Sequence, residues 1–340
     1  MSLIRITGSQ LHAAWVLAGA VASLLHLKCA RVRVGLRAFQ RTREKANMFR
    51  VHLAGMTAAL ITIVLAGPIQ AQQPAPPPFA TTKVTDNIYI FRYGGHQSMF
   101  IVTPDGVIAT DPISERRPVK PYIDAIEAVT KAPIKYVIYS HSHFDHIAGG
   151  KPFKDLGATF VAHRNAKDRI AVLKPDDVVV PDQVVDSNSN ITLGGTTLEL
   201  NYVGKNHSDS TLVMRLPREK IIFTVDWIPI QGIQFRGMAD TYVPDIEEGL
   251  KKVIEMDWET LIPGHPGPGG KQTGTKENAR EELAYLQDLS AAVKQAVSEG
   301  KSYADAQKEI KLPKYEPWPN YNAFLPMNIE RYYDFWNRGI

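Results

Sequence analysis

Between residues 88 and 265 the apolar positions follow two periods and alternate between them. The runs Ile88-Tyr89-Ile90-Phe91-Arg92-Tyr93 and Ser98-Met99-Phe100-Ile101-Val102 are rich in β-branched and aromatic residues and predict strands. Asp105-Gly106, set before Val107-Ile108-Ala109, signals a hairpin turn. Val119, Tyr122, Ile123, Ile126 and Val129 then fall at helical spacing, which predicts an amphipathic helix over 118–130. A strand over Ile134–Tyr139, a short helix after Gly150, a strand over 158–163 and a helix over 164–173 follow. The β period returns from Ile191 to Val225, with Leu193-Gly194-Gly195 as a turn. Ile246, Leu250, Val253 and Ile254 mark another helix, and Glu259 to Pro263 a last strand. Strands then a helix, twice over, predict an α/β fold of two packed sheets with helices outside. No repeat at solenoid periods is present.

After His265 the pattern changes. Gly267 to Gly274 reads as a loop, and Leu283, Leu286, Leu289, Val293 and Val297 form a helical stripe. Gly300 ends that helix, and Ser302 is placed to cap the next. Leu312 to Pro326 is rich in Pro, Tyr and Trp, and a final helix is expected over Met327–Trp336. Residues 271–340 are thus expected to be a C-terminal helical extension. Its aromatic residues are expected to pack on the sandwich; a lid or a dimer surface is the sharper alternative.

The formal charge of +4 conceals two halves. Residues 1–71 hold nine of the 39 Lys/Arg and one of the 35 Asp/Glu, which leaves 30 basic and 34 acidic residues in 72–340. That acidic balance argues against nucleic acid as a partner. Residues 1–71 read as a targeting segment. Met48-Phe49-Arg50, an apolar run from Leu53 to Gly67 and Ala71 match a secretory signal peptide over 48–71, which implies a periplasmic or secreted protein with no lasting membrane insertion. A membrane anchor, and a true start at Met48, are the other readings of this segment. The Pro-rich stretch 72–83 is expected to be a linker, and 84–270 the catalytic domain. The single cysteine, Cys29, lies in the leader, so no thiolate is available to the domain.

The chemistry is concentrated in His141-Ser142-His143-Phe144-Asp145-His146. His141 and His143 are two apart on extended backbone, point the same way and can hold one ion. Asp145 and His146 fall where the chain turns into a helix and can aim at a second point. His207 and His265 each stand in a loop after a strand-like run, and Asp226 ends the apolar run Ile221–Val225. His163 is expected to be structural, and His96, in Gly94-Gly95-His96-Gln97-Ser98, lies within reach of the mouth of a site.

The H-x-H-x-D-H motif followed by His, Asp and His resembles the metallo-β-lactamase-fold hydrolases over about Val84 to His265. The resemblance implies an αββα sandwich. It implies His141, His143 and His207 at a first metal, Asp145, His146 and His265 at a second, and Asp226 between the two. Asp111 matches an acidic residue that orients a ligand without binding metal. The family commonly has Gly before the bridging Asp, where this chain has Val225.

A dimetal hydrolase of small-molecule esters, lactones, thioesters or amides follows as the leading expectation. It would carry two zinc ions, with iron or manganese as alternatives, and Asp145 would be the catalytic carboxylate. An iron-dependent oxidoreductase on the same scaffold is the other class. A metal-free binding protein is disfavoured because every expected ligand position is filled. There is no Gly-x-Ser-x-Gly elbow, so Ser142 reads as a spacer. Residues 227–243, with Trp227, Ile228, Ile230 and Phe235, are expected to shape the substrate site because they follow Asp226 directly.

Overall fold

The computed structural model describes residues 78–340; the leader and signal-peptide reading of 1–71, Cys29 and the start of the linker lie outside them. The first sheet contains β1 (Phe79–Lys83), β2 (Ile88–Tyr93), β3 (His96–Thr103), β4 (Gly106–Thr110), β5 (Ile134–Ile138), β6 (Thr159–His163) and β7 (Gln183–Val185), side by side in that order. The second contains β8 (Asn188–Leu193), β9 (Thr196–Asn201), β10 (Val213–Leu216), β11 (Ile221–Val225), β12 (Thr260–Pro263) and β13 (Gly274–Thr275), also neighbours in that order. Strands β4 to β7 run parallel, and so do β11 and β12. Their crossovers carry the helices α1 (Lys120–Val129), α2 (Phe144–Ile147), α3 (Lys151–Asp155), α4 (Arg164–Leu173) and α5 (Val243–Glu255). Three more helices close the chain: α6 (Lys276–Ser298), α7 (Tyr303–Glu309) and α8 (Tyr321–Arg338).

Strand alternation divides the buried residues into three layers. Ile90, Met99, Ile101 and Ile138 face Leu198, Met214, Phe223 and Ile262 between the sheets. Their neighbours Phe91, Phe100 and Val137 turn the other way, onto Tyr122, Ile126 and Ile170 of the first helical layer. On the far side Val213, Ile222 and Leu261 meet Ile246, Leu250, Leu286 and Leu289. The αββα sandwich with a C-terminal helical region is therefore present, and its two faces follow from the period-2 pattern.

The C-terminal aromatics Tyr285, Tyr315, Tyr321 and Tyr332 are buried in that third layer, as packing on the sandwich requires. Two boundaries differ from the sequence reading. Residues 79–83, expected within a linker, pair antiparallel with β2 as an edge strand. The last helix begins at Tyr321 instead of Met327 and runs through Pro326. A proline breaks a helix through its missing N–H and its ring. Here it is the sixth helical residue, so the bond its N–H would make to the Asn322 carbonyl is absent while the helix continues past it. Among the described residues no helix is long and apolar enough to cross a membrane.

Candidate metal centre

The site lies at the edge where β4, β5, β11 and β12 end. His141 and His143 follow β5 where the chain bends, His143 itself being extended, with ring centroids 4.4 Å apart. His143 then caps the single turn of α2, which swings Asp145 and His146 to a separate point. His207 comes from the β9–β10 loop, Asp226 follows β11 and His265 follows β12. The edge is fastened across the two sheets. Gln97 N–H donates to the Gly264 carbonyl at 2.7 Å, its amide donates to the Pro263 carbonyl at 2.8 Å, and Leu212 N–H donates to the Ser140 carbonyl at 2.7 Å.

Two clusters result. In one, ligand-type atoms of His141, His143, His207 and Asp226 all lie within 4.8 Å of one another; in the other the same holds for His96, Asp145, His146 and His265. Asp226 faces both. Its Oδ2 is 3.0 Å from His146 Nε2, 3.6 Å from His207 Nε2 and 3.8 Å from His141 Nε2, and its Oδ1 is 3.1 Å from His265 Nε2. All seven residues expected from the sequence thus converge, and His96 joins them.

The outer nitrogens of the histidines meet acceptors. His141 Nδ1 is 2.8 Å from Ser140 Oγ, His143 Nε2 is 2.8 Å from Asp240 Oδ2, and His265 Nδ1 is 2.7 Å from the Gly95 carbonyl. The carboxylate and the carbonyl can only accept, so they hold a proton on the outer nitrogens of His143 and His265 and turn the inner lone pairs into the site, while Ser140 orients the His141 ring. Asp111 is buried, accepts from Ser140 N–H at 2.8 Å and lies 3.6 Å from His146 Nδ1, the position of an orienting carboxylate. The inner atoms are left unmatched. His141 Nε2, His146 Nε2 and Asp226 Oδ1 are buried without a hydrogen bond, and His207 Nε2 faces His143 Nδ1 at 3.1 Å. Buried polar atoms are seldom orphaned in such numbers. A set of imidazoles and carboxylates with lone pairs converging on two points fits a dinuclear metal site.

The electrostatics divide by cluster: burial is overridden by the Asp226 carboxylate at His146 and His265, which are pushed up, whereas His141 and His207 are pushed down. Burial, reinforced by the His143 and His146 rings, pushes His141 well down, so its lone pair is free. Burial, only partly offset by Asp226, takes His207 to about 4. Burial opposes ionisation of Asp226, but His146 and His265 outweigh it and hold the carboxyl well below the usual range. Asp145 is likewise opposed by burial, yet the His96 hydrogen bond and the His146 charge bring it to about 2.

Two backbone features are specific to this edge. Val225 adopts φ +53°, the left-handed region that glycine enters freely and a β-branched residue enters at a cost of about 1–3 kcal/mol. That is the physical sense of the glycine common at this place: the chain must turn sharply to bring Asp226 over the site. Gly264 is the second feature. A Cβ there would lie 2.4 Å from Asp226 Oδ1 and 3.0 Å from His146 Cε1.

The loop after Asp226 corrects the sequence reading. Trp227, Ile228 and Ile230 are buried in the third layer, so they belong to its core. Phe235 alone of the four named residues is exposed, at 63%. An unforeseen contribution of this loop is Asp240, which grips His143 and lies 3.6 Å from Arg169; Arg169 also pairs with Asp209 at 3.0 Å and donates to Ser142 Oγ at 3.2 Å. No local pattern marks Asp240, since it acts over 97 residues of sequence. His163 is structural: its Nδ1 accepts from Asn165 N–H at 3.2 Å, and its ring stacks on Tyr202.

The sequence profile of the metallo-beta-lactamase superfamily matches residues 92–265, and the chain belongs to that superfamily. Among curated relatives, the 2,4-dinitroanisole O-demethylase subunit alpha of Nocardioides sp. (strain JS1661) is 23% identical over 210 residues, 60% of this chain and 62% of that one. A metallo-beta-lactamase type 2 from Bacillus cereus is 26% identical over 172 residues, 50% of this chain and 66% of that one. The match thus spans just under two thirds of either relative. Among solved structures, a metallo-beta-lactamase from Pontibacter korlensis superposes with TM-score 0.53 at 20% identity, covering 62% of this chain and 99% of that one. A stereoselective inverting sec-alkylsulfatase from Pseudomonas sp. gives TM-score 0.61 at 16% identity, covering 75% of this chain and 50% of that one. These structural likenesses concern the fold.

Proposed function

We propose that the protein is a dinuclear metal-dependent hydrolase of a small-molecule ester, lactone, thioester or amide. The observation that carries this reading is Asp226, one carboxylate facing two clusters of inward-turned imidazoles. His141 Nε2, His143 Nδ1 and His207 Nε2 would hold one ion, and Asp145, His146 and His265 the other. Zinc suits these donors, as do manganese and iron. The ions, when bound, supply Lewis acidity and a water acidic enough to attack near neutral pH.

The chain's own residues do the rest. Asp226 balances charge at both points and fixes their separation. Asp145 is the partly exposed carboxylate of the second cluster and would orient the attacking water. Asp240 holds the proton on the outer nitrogen of His143 and so turns its lone pair inward, and Ser140 orients the His141 ring. No serine or cysteine nucleophile is needed. Ser142 is buried and occupied by Arg169.

The test is a panel of lactones, thioesters, esters, β-lactams, an alkyl sulfate and a nitroaryl methyl ether. It is run on zinc-, manganese- and iron-loaded protein, with oxygen consumption followed in parallel. Turnover with zinc and no oxygen uptake supports hydrolysis. Activity restricted to iron with oxygen uptake refutes it.

A further inference from the structure

The outer nitrogen of His96 faces a group that can only donate. Arg117 Nη2 lies 3.3 Å from His96 Nδ1. A guanidinium has N–H groups and no acceptor, and it stays charged at any working pH. Nδ1 must therefore be the lone-pair nitrogen, and the proton of the neutral ring sits on Nε2. That Nε2 points at Asp145 Oδ2, 3.1 Å away. His143 and His265 show the opposite wiring, with a carboxylate or a carbonyl on the outer nitrogen and the lone pair inside. Position alone would make His96 a fourth ligand of the second cluster; the position of its proton forbids it.

Arg117 cannot easily yield. Its Nη1 donates to the Tyr93 carbonyl at 2.8 Å, its guanidinium lies over the Tyr93 ring at 4.7 Å, and its backbone N–H donates to the Ser114 carbonyl at 3.1 Å. Gly94, at φ +59°, leaves room for it, since a Cβ there would approach Nη1 to 3.0 Å. If His96 bound metal through Nε2, its Nδ1 would carry a proton and face the Arg117 N–H, donor against donor.

We infer that His96 is not a metal ligand but a positioning residue. Its Nε2–H, set by Arg117, holds Asp145 through Oδ2 in the rotamer that serves the second ion and the attacking water. A carboxylate has about four lone-pair sites, so the bond from His96 leaves the others for an ion and for water. In the Arg117–His96–Asp145 relay, His96 comes from the start of β3 and Arg117 from the loop between β4 and α1. The inference rests on the dimetal reading above, in which Asp145 serves the second ion.

The test reads ligation directly. Protein with isotope-labelled histidine is loaded with NMR-active cadmium, so that each imidazole bonded to metal shows a nitrogen–cadmium coupling. Coupling at His141, His143, His146, His207 and His265 is expected, with His96 uncoupled and protonated at Nε2. The His96 signals are assigned from their loss in His96→Gln. In zinc-loaded protein, His96→Gln keeps an N–H near the old Nε2 and should retain two ions per chain and most of the turnover. His96→Ala should retain two ions with kcat lowered about ten- to a hundredfold, the scale of losing a group that orients a ligand, and KM little changed. Cadmium coupling at His96, or a single ion per chain in His96→Gln, overturns the inference and leaves the dimetal reading intact. Fewer than two ions in the parent protein overturns both.

Discussion

Replacing Gly264 by alanine adds one methyl group at the most crowded point of the site. Its Cβ would lie 2.4 Å from Asp226 Oδ1, 2.7 Å from Val225 Cγ1 and 3.0 Å from His146 Cε1. The backbone cannot retreat, because Gly264 N–H donates to the Val225 carbonyl at 2.9 Å and its carbonyl accepts from Gln97 N–H at 2.7 Å. Asp226 must therefore move, by about 0.6 Å to reach even a 3.0 Å contact. Metal sites tolerate departures of about 0.2 Å in ligand distance, so the required shift is roughly three times that margin. Because Asp226 faces both clusters, both ions should be weakened. Displacements approaching 1 Å cost about a hundredfold in rate, and that is the expected loss of kcat/KM. Overpacking should also lower the stability of the metal-free protein by about 1–3 kcal/mol. The assay is elemental analysis and chelator competition beside turnover, with Gly232→Ala as control, since a Cβ there approaches nothing nearer than 3.4 Å. A Gly264→Ala protein with two ions at parental affinity and full turnover would refute the placement of Asp226 between the clusters.

Asp240→Ala should weaken metal binding about ten- to a hundredfold at the His143 cluster and spare the other, as read by stepwise chelator competition. Asp145→Ala should lose more than about a hundredfold in turnover, whereas Ser142→Ala should keep most of it; a trapped acyl-serine would contradict this. Burial pushes the Glu282 carboxyl up to about 8, with only Gln234 opposing it. The native state thus keeps a proton that the unfolded chain releases from the ordinary carboxylate range upward. Stability should fall as pH rises through that window to about 8, then level off. Glu282→Gln should flatten this dependence, as melting temperatures across pH would show. If the leader is a signal peptide, N-terminal sequencing of envelope-derived protein should begin near Gln72; a mature chain that retains Cys29 would exclude cleavage there.

What the sequence determines here is what repeats locally or sits at short spacing. Alternation assigns Ile90 and Phe91 to opposite faces, and so predicts both the inter-sheet core and the helical layer outside it. His141, His143, Asp145 and His146 could be read because six residues suffice to bend strand into helix and aim two pairs at two points. His207, Asp226 and His265 could be read because Asp226 ends a strand-like run and the two histidines stand in loops that follow one. The tertiary structure alone decided the proton on each nitrogen, since a tautomer is chosen by whichever group arrives opposite the ring. Arg117 faces His96 from 21 residues away, and Asp240 reaches His143 across 97. The loop after Asp226 was misjudged for the same reason. Trp227 and Ile230 follow a site residue in the chain, but burial in the third layer, with Trp227 beside Gly249 of α5 and Ile230 beside Gly267 and Gly274, turns them into core, and no periodicity in 227–243 encodes that. Proximity along the chain constrains backbone direction over a few residues; beyond that, hydrogen-bond partners and burial are properties of the packed fold.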